Sequence, residues 1–330
     1  MIHNNPDPDA IMSGEALRHL VEAKYNLKAS IAYGGNIGRA ENKALVGKLG
    51  IKMKVFNRIR LGKYDVIACV DTQPNAGNNM LSPDSKCDIV IDHHSALSDT
   101  EADLVVVDPS LGGTATILVE WMKEAEIPVP ANLATGLAYA ISSETQSMGR
   151  ETSRNDIDAY LSVYVKANLR KLSQIMFPTL PRDYFVVLGR ALQQAKLYRN
   201  LVCSHLHEVP TPEMVAEMAD FLVRHERISW AFCTGRFKDN LILSLRSTNE
   251  DAHAGRLIRK LVGSDYLAGG HGMTGGGYVP IEDEDGESLE QLFTDRFLEA
   301  MGFPDADWKP LLEQEPPAAK NDGDSAKKTP

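Results

Sequence analysis

Near the start of the chain, His3-Asn4-Asn5-Pro6-Asp7-Pro8-Asp9 sets one imidazole and two carboxylates within seven residues. Pro6 and Pro8 keep this stretch extended, so Asp7 and Asp9 can serve different cations. Asp9 also reads, taken alone, as the cap of a helix beginning at Ala10. Two further clusters follow short apolar runs. Asp71 ends the run at 64–70, and Asp92-His93-His94 ends the run at 87–91. Mixed His/Asp donors suit manganese, with magnesium as the second candidate. Two divalent cations roughly 3.5–4 Å apart would acidify a water and clamp the oxygens of an in-line displacement at phosphorus.

The surrounding pattern must bring these clusters together. Apolar positions at helical spacing predict a helix over 10–26, then a strand at 29–33, a glycine-rich turn and a helix over 40–49. Strands are expected at 64–70, 88–91 and 104–107, and helices at 114–126 and 131–142. This alternation predicts the α/β class, a doubly wound, mostly parallel sheet with a second, smaller α/β domain. In such sheets ligands bind beyond the carboxyl ends of the strands, where Asp71 and Asp92-His93-His94 fall. The second half is read as mostly helical over 155–196, with a strand near 197–204, a helix over 212–224, strands at 229–236 and 240–246, and a helix over 254–262. Met214 and Met218 are expected in the core.

His3-x-x-x-Asp7-x-Asp9, Asp71 and Asp92-His93-His94, in this order, resemble the motifs of the DHH phosphoesterase superfamily. Gly269-Gly270-His271 with the following glycines resembles its associated C-terminal domain. That signature is similar to the branch of nanoRNases, 3′-phosphoadenosine-5′-phosphate phosphatases and RecJ-like exonucleases, and unlike the inorganic pyrophosphatases. The resemblance implies that His3, Asp7 and Asp71 hold one cation, and that Asp9, Asp71 and His93 hold the other. Asp92 would orient its neighbours, and His94 would contact phosphate or protonate the leaving oxygen. Activated hydroxide would then attack phosphorus. Arg246, Gly269, Gly270 and His271 would bind substrate, although a surface arginine and a plain glycine-rich turn are the alternatives. Glu144 stands where the family carries Asp, and is read as a metal ligand lengthened by one methylene. The resemblance also sets His3 at the end of a central strand; since only Met1 and Ile2 precede it, the natural start is expected upstream.

The expected division is 1–175 for the metal-binding domain, 176–204 for a helical linker, 205–305 for the substrate-binding domain and 306–330 for a disordered tail. With 35 basic against 45 acidic residues the formal charge is −10, which disfavours duplex nucleic acid. The four cysteines show no CxxC pair and read as reduced, packed thiols of a cytoplasmic chain. No membrane span or secretion signal is read, and a homodimer is one possible assembly. The expected function is hydrolysis of short oligonucleotides or small nucleotide phosphates. The alternatives are a polyphosphate or cyclic-dinucleotide phosphohydrolase and a non-catalytic nucleotide-binding regulator.

Overall fold

The computed structural model describes residues 1–149, 151–264, 267–281, 286–304 and 306–312. The chain divides into two compact units, Met1–Leu180 and Pro181–Pro330. The tail expected from 306 lies outside the described residues from 313 onward.

The first unit opens with α1 (Pro8–Tyr25). Its cap is Asp7, whose Oδ1 accepts the Ala10 N–H at 2.9 Å, not Asp9, which sits inside the first turn. Pro8 occupies a first-turn position where no backbone N–H is needed. There follow β1 (Ile31–Tyr33), α2 (Ala40–Leu49), β2 (Met53–Val55), β3 (Ala68–Val70), β4 (Ile89–Asp92) and β5 (Leu104–Val107). Helices α3 (Thr114–Glu124), α4 (Ala131–Glu144), α5 (Arg154–Tyr164) and α6 (Leu169–Met176) complete the unit.

All strand pairs here are parallel, β1 with β2 and β4 between β3 and β5. The two sheets are joined through Met1 and Ile2, which occupy the central-strand position before His3. The Ile2 N–H donates to Ala32 O at 3.0 Å, and the Val70 N–H to Met1 O at 2.8 Å. One apolar core fuses strands and helices: Ile2, Ile31, Val70 and Ile91 pack with Ile11 of α1, Leu118 of α3 and Ile141 of α4. Ile2 precedes His3, Val70 precedes Asp71 and Ile91 precedes Asp92. Each polar cluster therefore leaves the sheet directly after an anchored side chain, and close packing fixes its exit.

The second unit contains α7 (Arg182–Gln194), β6 (Lys196–Tyr198), β7 (Leu201–Glu208), α8 (Glu213–Leu222), β8 (Trp230–Phe237), β9 (Asn240–Ser247), α9 (Ala254–Val262), β10 (Ala268–His271), β11 (Thr274–Pro280), α10 (Gly286–Ala300) and β12 (Lys309–Pro310). Its seven-stranded sheet runs β10-β11-β9-β8-β7-β6-β12, antiparallel except for the β7–β8 pair. One face packs on α7 and α8, with Met214 and Met218 buried there; on the other, Phe232 of β8 packs with Phe293 and Phe297 of α10 and Ile258 of α9.

Residues 181–204, part of the stretch expected as a linker, fall in the second unit. Val187 and Ala191 of α7 belong to this core, and β6 and β7 are strands of its sheet. All four cysteines are buried and free. Among the described residues no helix is long and apolar enough to cross a membrane.

Candidate metal centre

Asp71 organises the site. It follows β3 with φ 58°, in the left-handed region that aspartate tolerates better than most side chains. A non-glycine residue held there stores strain that the surroundings must offset, and such residues cluster at functional sites. The Asp71 N–H donates to Ile91 O at 2.9 Å, and its Oδ1 accepts the Thr114 hydroxyl at 2.8 Å.

Two groups of ligand atoms share this carboxylate. His3, Asp7 and Asp71 form one, and Asp71, His93 and His94 the other, with all ligand atoms in each within 4.8 Å of one another. His3 Nε2 lies 3.4 Å from Asp7 Oδ2 and 3.5 Å from Asp71 Oδ2. Its Nδ1 is 2.9 Å from Asn4 O. A carbonyl only accepts, so Nδ1 carries the hydrogen and Nε2 offers its lone pair to the carboxylates' side. His93 repeats the arrangement. Its Nδ1 donates to Leu111 O at 3.2 Å, while Nε2 stands 3.7 Å from Asp71 Oδ1 and 3.9 Å from Asp9 Oδ2.

The His93 Nε2 atom is buried without a hydrogen-bond partner. A buried, correctly tautomerised imidazole nitrogen facing two carboxylates fits a divalent cation. The mixed imidazole and carboxylate donors favour a first-row divalent cation such as manganese over magnesium, which prefers oxygen ligands throughout.

Asp9 is held differently from the expectation. Its Oδ2 accepts the Thr114 N–H at 2.7 Å, and its Oδ1 accepts the Ala115 N–H at 2.8 Å and the Ser13 hydroxyl at 3.3 Å. Asp9 thus seals the N-terminus of α3, where backbone N–H groups and the helix dipole favour a negative charge. A lone pair of Oδ2 still faces His93. His94, expected to lie outside the ligand set, falls within the second group, with Nδ1 2.8 Å from Asp92 Oδ1 and 3.8 Å from Asp71 Oδ1.

The electrostatics register a crowd of carboxylates. Burial pushes Asp9 up to about 7, and the Asp71 and Asp7 carboxylates add to it against His93. Burial also lifts Glu144 well above the usual range, reinforced by Asp7, Asp9 and Asp71. At the end of α4, Glu144 is therefore within electrostatic reach of the whole cluster. Burial disfavours a charged His3, yet the Asp7 and Asp71 carboxylates hold its pKa well above the ordinary value. For Asp7 burial works upward, but His3 wins and pulls the carboxyl below its usual range. Protons here do what a cation would do better, which is to neutralise buried negative charge.

The substrate-binding candidates all lie in the second unit. Arg246, on β9, has only 12% of its side chain exposed. Its Nε donates to Asp220 of α8, and its Nη1 to Ser244 Oγ at 3.0 Å, Leu245 O at 2.9 Å and Gly275 O at 3.3 Å. Gly269, Gly270 and His271 form β10, hairpinned onto β11; the His271 side chain lies outside the described set. The close approach that these glycines permit is to α9. A Cβ on Gly255 would lie 1.9 Å from Gly270 O, and Gly270 itself has φ +138°.

Residues 1–141 match the profile of the DHH family, N-terminal domain. This part of the chain belongs to the DHH family. Over 314 residues, 92% of the chain, the sequence is 34% identical to an uncharacterised protein of Methanocaldococcus jannaschii, covering 64% of that protein. A protein of Lactobacillus johnsonii named probable manganese-dependent inorganic pyrophosphatase is 27% identical over 165 residues, 49% of this chain and 52% of its own length. The chain thus spans less than two thirds of either relative. An exopolyphosphatase-related protein from Bacteroides fragilis shares the fold with a TM-score of 0.74, at 16% identity over 91% of each chain.

Within the DHH domain, sequence reasoning missed Thr114, Gln73 and the Leu111 carbonyl, which orient Asp71, Asp92 and His93. The Gly112-Gly113-Thr114 step into a helix was the one readable signal for α3's role.

Proposed function

We propose that this chain is a divalent-cation-dependent phosphohydrolase acting on phosphate esters of small nucleotides or short oligonucleotides. The observation that carries the reading is the sharing of Asp71 by two His/Asp groups whose imidazole tautomers are already set. His3, Asp7 and Asp71 would hold one cation. Asp9, Asp71 and His93 would hold the other, and Glu144 would complete the charge balance. When bound, such a pair supplies an acidified water and charge neutralisation at the phosphoryl oxygens.

The chain's own residues do the rest. Thr114 and the α3 N-terminus keep the Asp71 and Asp9 carboxylates from rotating. Asp92 accepts from His94 Nδ1 at 2.8 Å, which commits that nitrogen and leaves proton exchange with the leaving oxygen to Nε2. With 43% of its side chain exposed, against 42% for Asp7, His94 is open to solvent and substrate. In the second unit, Arg246 and the β10 backbone are the proposed substrate contacts. Arg246 would act with its guanidinium held by Asp220, which fixes its direction.

A second reading, hydrolysis of a phosphoanhydride such as polyphosphate, is favoured by the likeness to the Lactobacillus johnsonii protein. One assay separates the two: a dinucleotide, 3′-phosphoadenosine-5′-phosphate, a cyclic dinucleotide and polyphosphate, each with manganese and with chelator. The proposal expects fastest manganese-dependent turnover of one of the first two. Preference for polyphosphate supports the second reading. Binding of nucleotide without turnover of any of them contradicts both.

A further inference from the structure

Gln73 lies two residues beyond Asp71 and is 2% exposed. Its amide is fully used. Nε2 donates to Asp92 Oδ2 at 2.7 Å and to Ser95 O at 3.1 Å, while Oε1 accepts the Leu97 N–H at 2.9 Å and the Thr100 hydroxyl at 2.8 Å. A glutamine side chain has two N–H donors and two acceptor lone pairs, and all four are matched here. The neighbours also fix which way the amide points. A carboxylate and a carbonyl can only accept, and a backbone N–H can only donate, so the flipped amide would face two like groups.

The other oxygen of Asp92 accepts the His93 N–H at 2.9 Å, the His94 N–H at 3.2 Å and His94 Nδ1 at 2.8 Å. A continuous line of bonds therefore runs from the exposed segment 95–100 through Gln73 and Asp92 to the His94 ring. His94 stands at the end of β4 with nearly half of its side chain open to solvent, so packing alone does not orient it.

We propose that Gln73 is a positioning residue for proton transfer by His94. Its amide locks the rotation of Asp92 and staples segment 95–100, and together these hold the His94 ring with Nδ1 protonated and Nε2 toward the reacting oxygen. The inference rests on the phosphohydrolase reading for its rate consequence, but the structural half stands without it. Glutamine is the side chain that meets the need. A glutamate would keep the acceptors for Leu97 and Thr100 yet oppose its charge to Asp92, and a shorter asparagine would not span the gap.

The test compares wild type, Gln73→Glu, His94→Gln and the double variant on the substrate that wild type turns over fastest with Mn2+. Removal of a group that orients another through hydrogen bonds costs about 10–100-fold in activity. Gln73→Glu is expected to lower kcat by that order, with KM and the Mn2+ titration unchanged. The double variant should be no slower than His94→Gln, because both changes remove one function. In the metal-free protein, Gln73→Glu should speed hydrogen exchange at the Leu97 amide and shift the His94 ring 15N signals. If Gln73→Glu does not fold, Gln73→Met, uncharged and of similar length, takes its place.

Losses that multiply in the double variant, or an undisturbed kcat, overturn the proposal; so do unchanged His94 15N signals. If wild type turns over no substrate in the panel, the phosphohydrolase reading fails, and the exchange and 15N measurements still decide whether Gln73 holds His94.

Discussion

Asp7, Asp9, Asp71 and Glu144 interact with only three imidazoles among them, and burial, reinforced by this crowding, raises the Asp9 and Glu144 carboxyls. Glu144 separates stability from function. At pH 8, Glu144→Gln should raise the melting temperature of the metal-free protein, by about 2–4 °C per kcal/mol of relieved repulsion. The same change should weaken Mn2+ binding about 10–100-fold. Melting curves in chelator and Mn2+ titrations check the two signs. A variant less stable without metal would mean that Glu144 serves packing, not charge.

The cation-facing side chains were legible from residue type and placement. His3 and Asp71 each directly follow an apolar anchor, His93 stands two residues after Ile91, and each lands in the cluster. Their supports were not legible. Thr114 acts through a hydroxyl, Leu111 through a carbonyl and Gln73 through an amide that closes loops more than 20 residues apart, and none leaves a periodic signal. The anchoring of Asp9 was hidden for a related reason. A carboxylate before a helix reads as that helix's cap, whereas its real donors belong to α3, over 100 residues away.

Among the elements, the N-terminus of α3 couples fold to site. It donates two N–H groups to Asp9 and a hydroxyl to Asp71, and it is itself held by Asp156, whose Oδ2 accepts the Gly112 N–H at 2.8 Å and whose Oδ1 accepts the Thr116 hydroxyl at 2.6 Å. Thr114→Val keeps the shape and removes only the bond to Asp71. The expected result is a loss of about 10–100-fold in turnover with a melting temperature close to wild type. Equal losses of activity and stability would place Thr114 in the core instead.

In the second unit, α9 and the β10–β11 hairpin meet backbone to backbone at Gly255 and Gly270. Gly255→Ala should destabilise by about 1–3 kcal/mol through overpacking, read as a lower urea midpoint. An unchanged midpoint would show that this contact is loose. The run at 268–277 reads as substrate-binding because glycine permits any close approach; the fold adds that helix α9 comes close to Gly270.

For the whole molecule, the cluster links stability to pH. Asp9 has its carboxyl raised to about 7, so the stability it contributes is full below about pH 4 and is lost as pH climbs through 7. His3, His93 and His94 are raised too, since nearby carboxylates outweigh the effect of burial, and their contribution is full below about pH 6.5 and lost as pH rises through their raised values. All four act in one direction. The cluster's share of the metal-free protein's stability should fall from pH 5 to pH 8, while His205, which burial holds down at about 4, acts in the opposite sense below about pH 6.5. Mn2+ displaces the same protons, so its stabilisation should grow over that interval. A Mn2+ effect on melting that is constant from pH 5 to pH 8 would contradict this linkage.

The most direct measurement is the number of Mn2+ ions retained per chain after equilibrium dialysis, in wild type and in Asp71→Ala. A carboxylate shared between two groups predicts two ions for wild type and none for the variant, at Mn2+ concentrations that just saturate wild type. Two ions retained by Asp71→Ala, or none bound by wild type, would contradict the shared-ligand centre on which the functional reading depends.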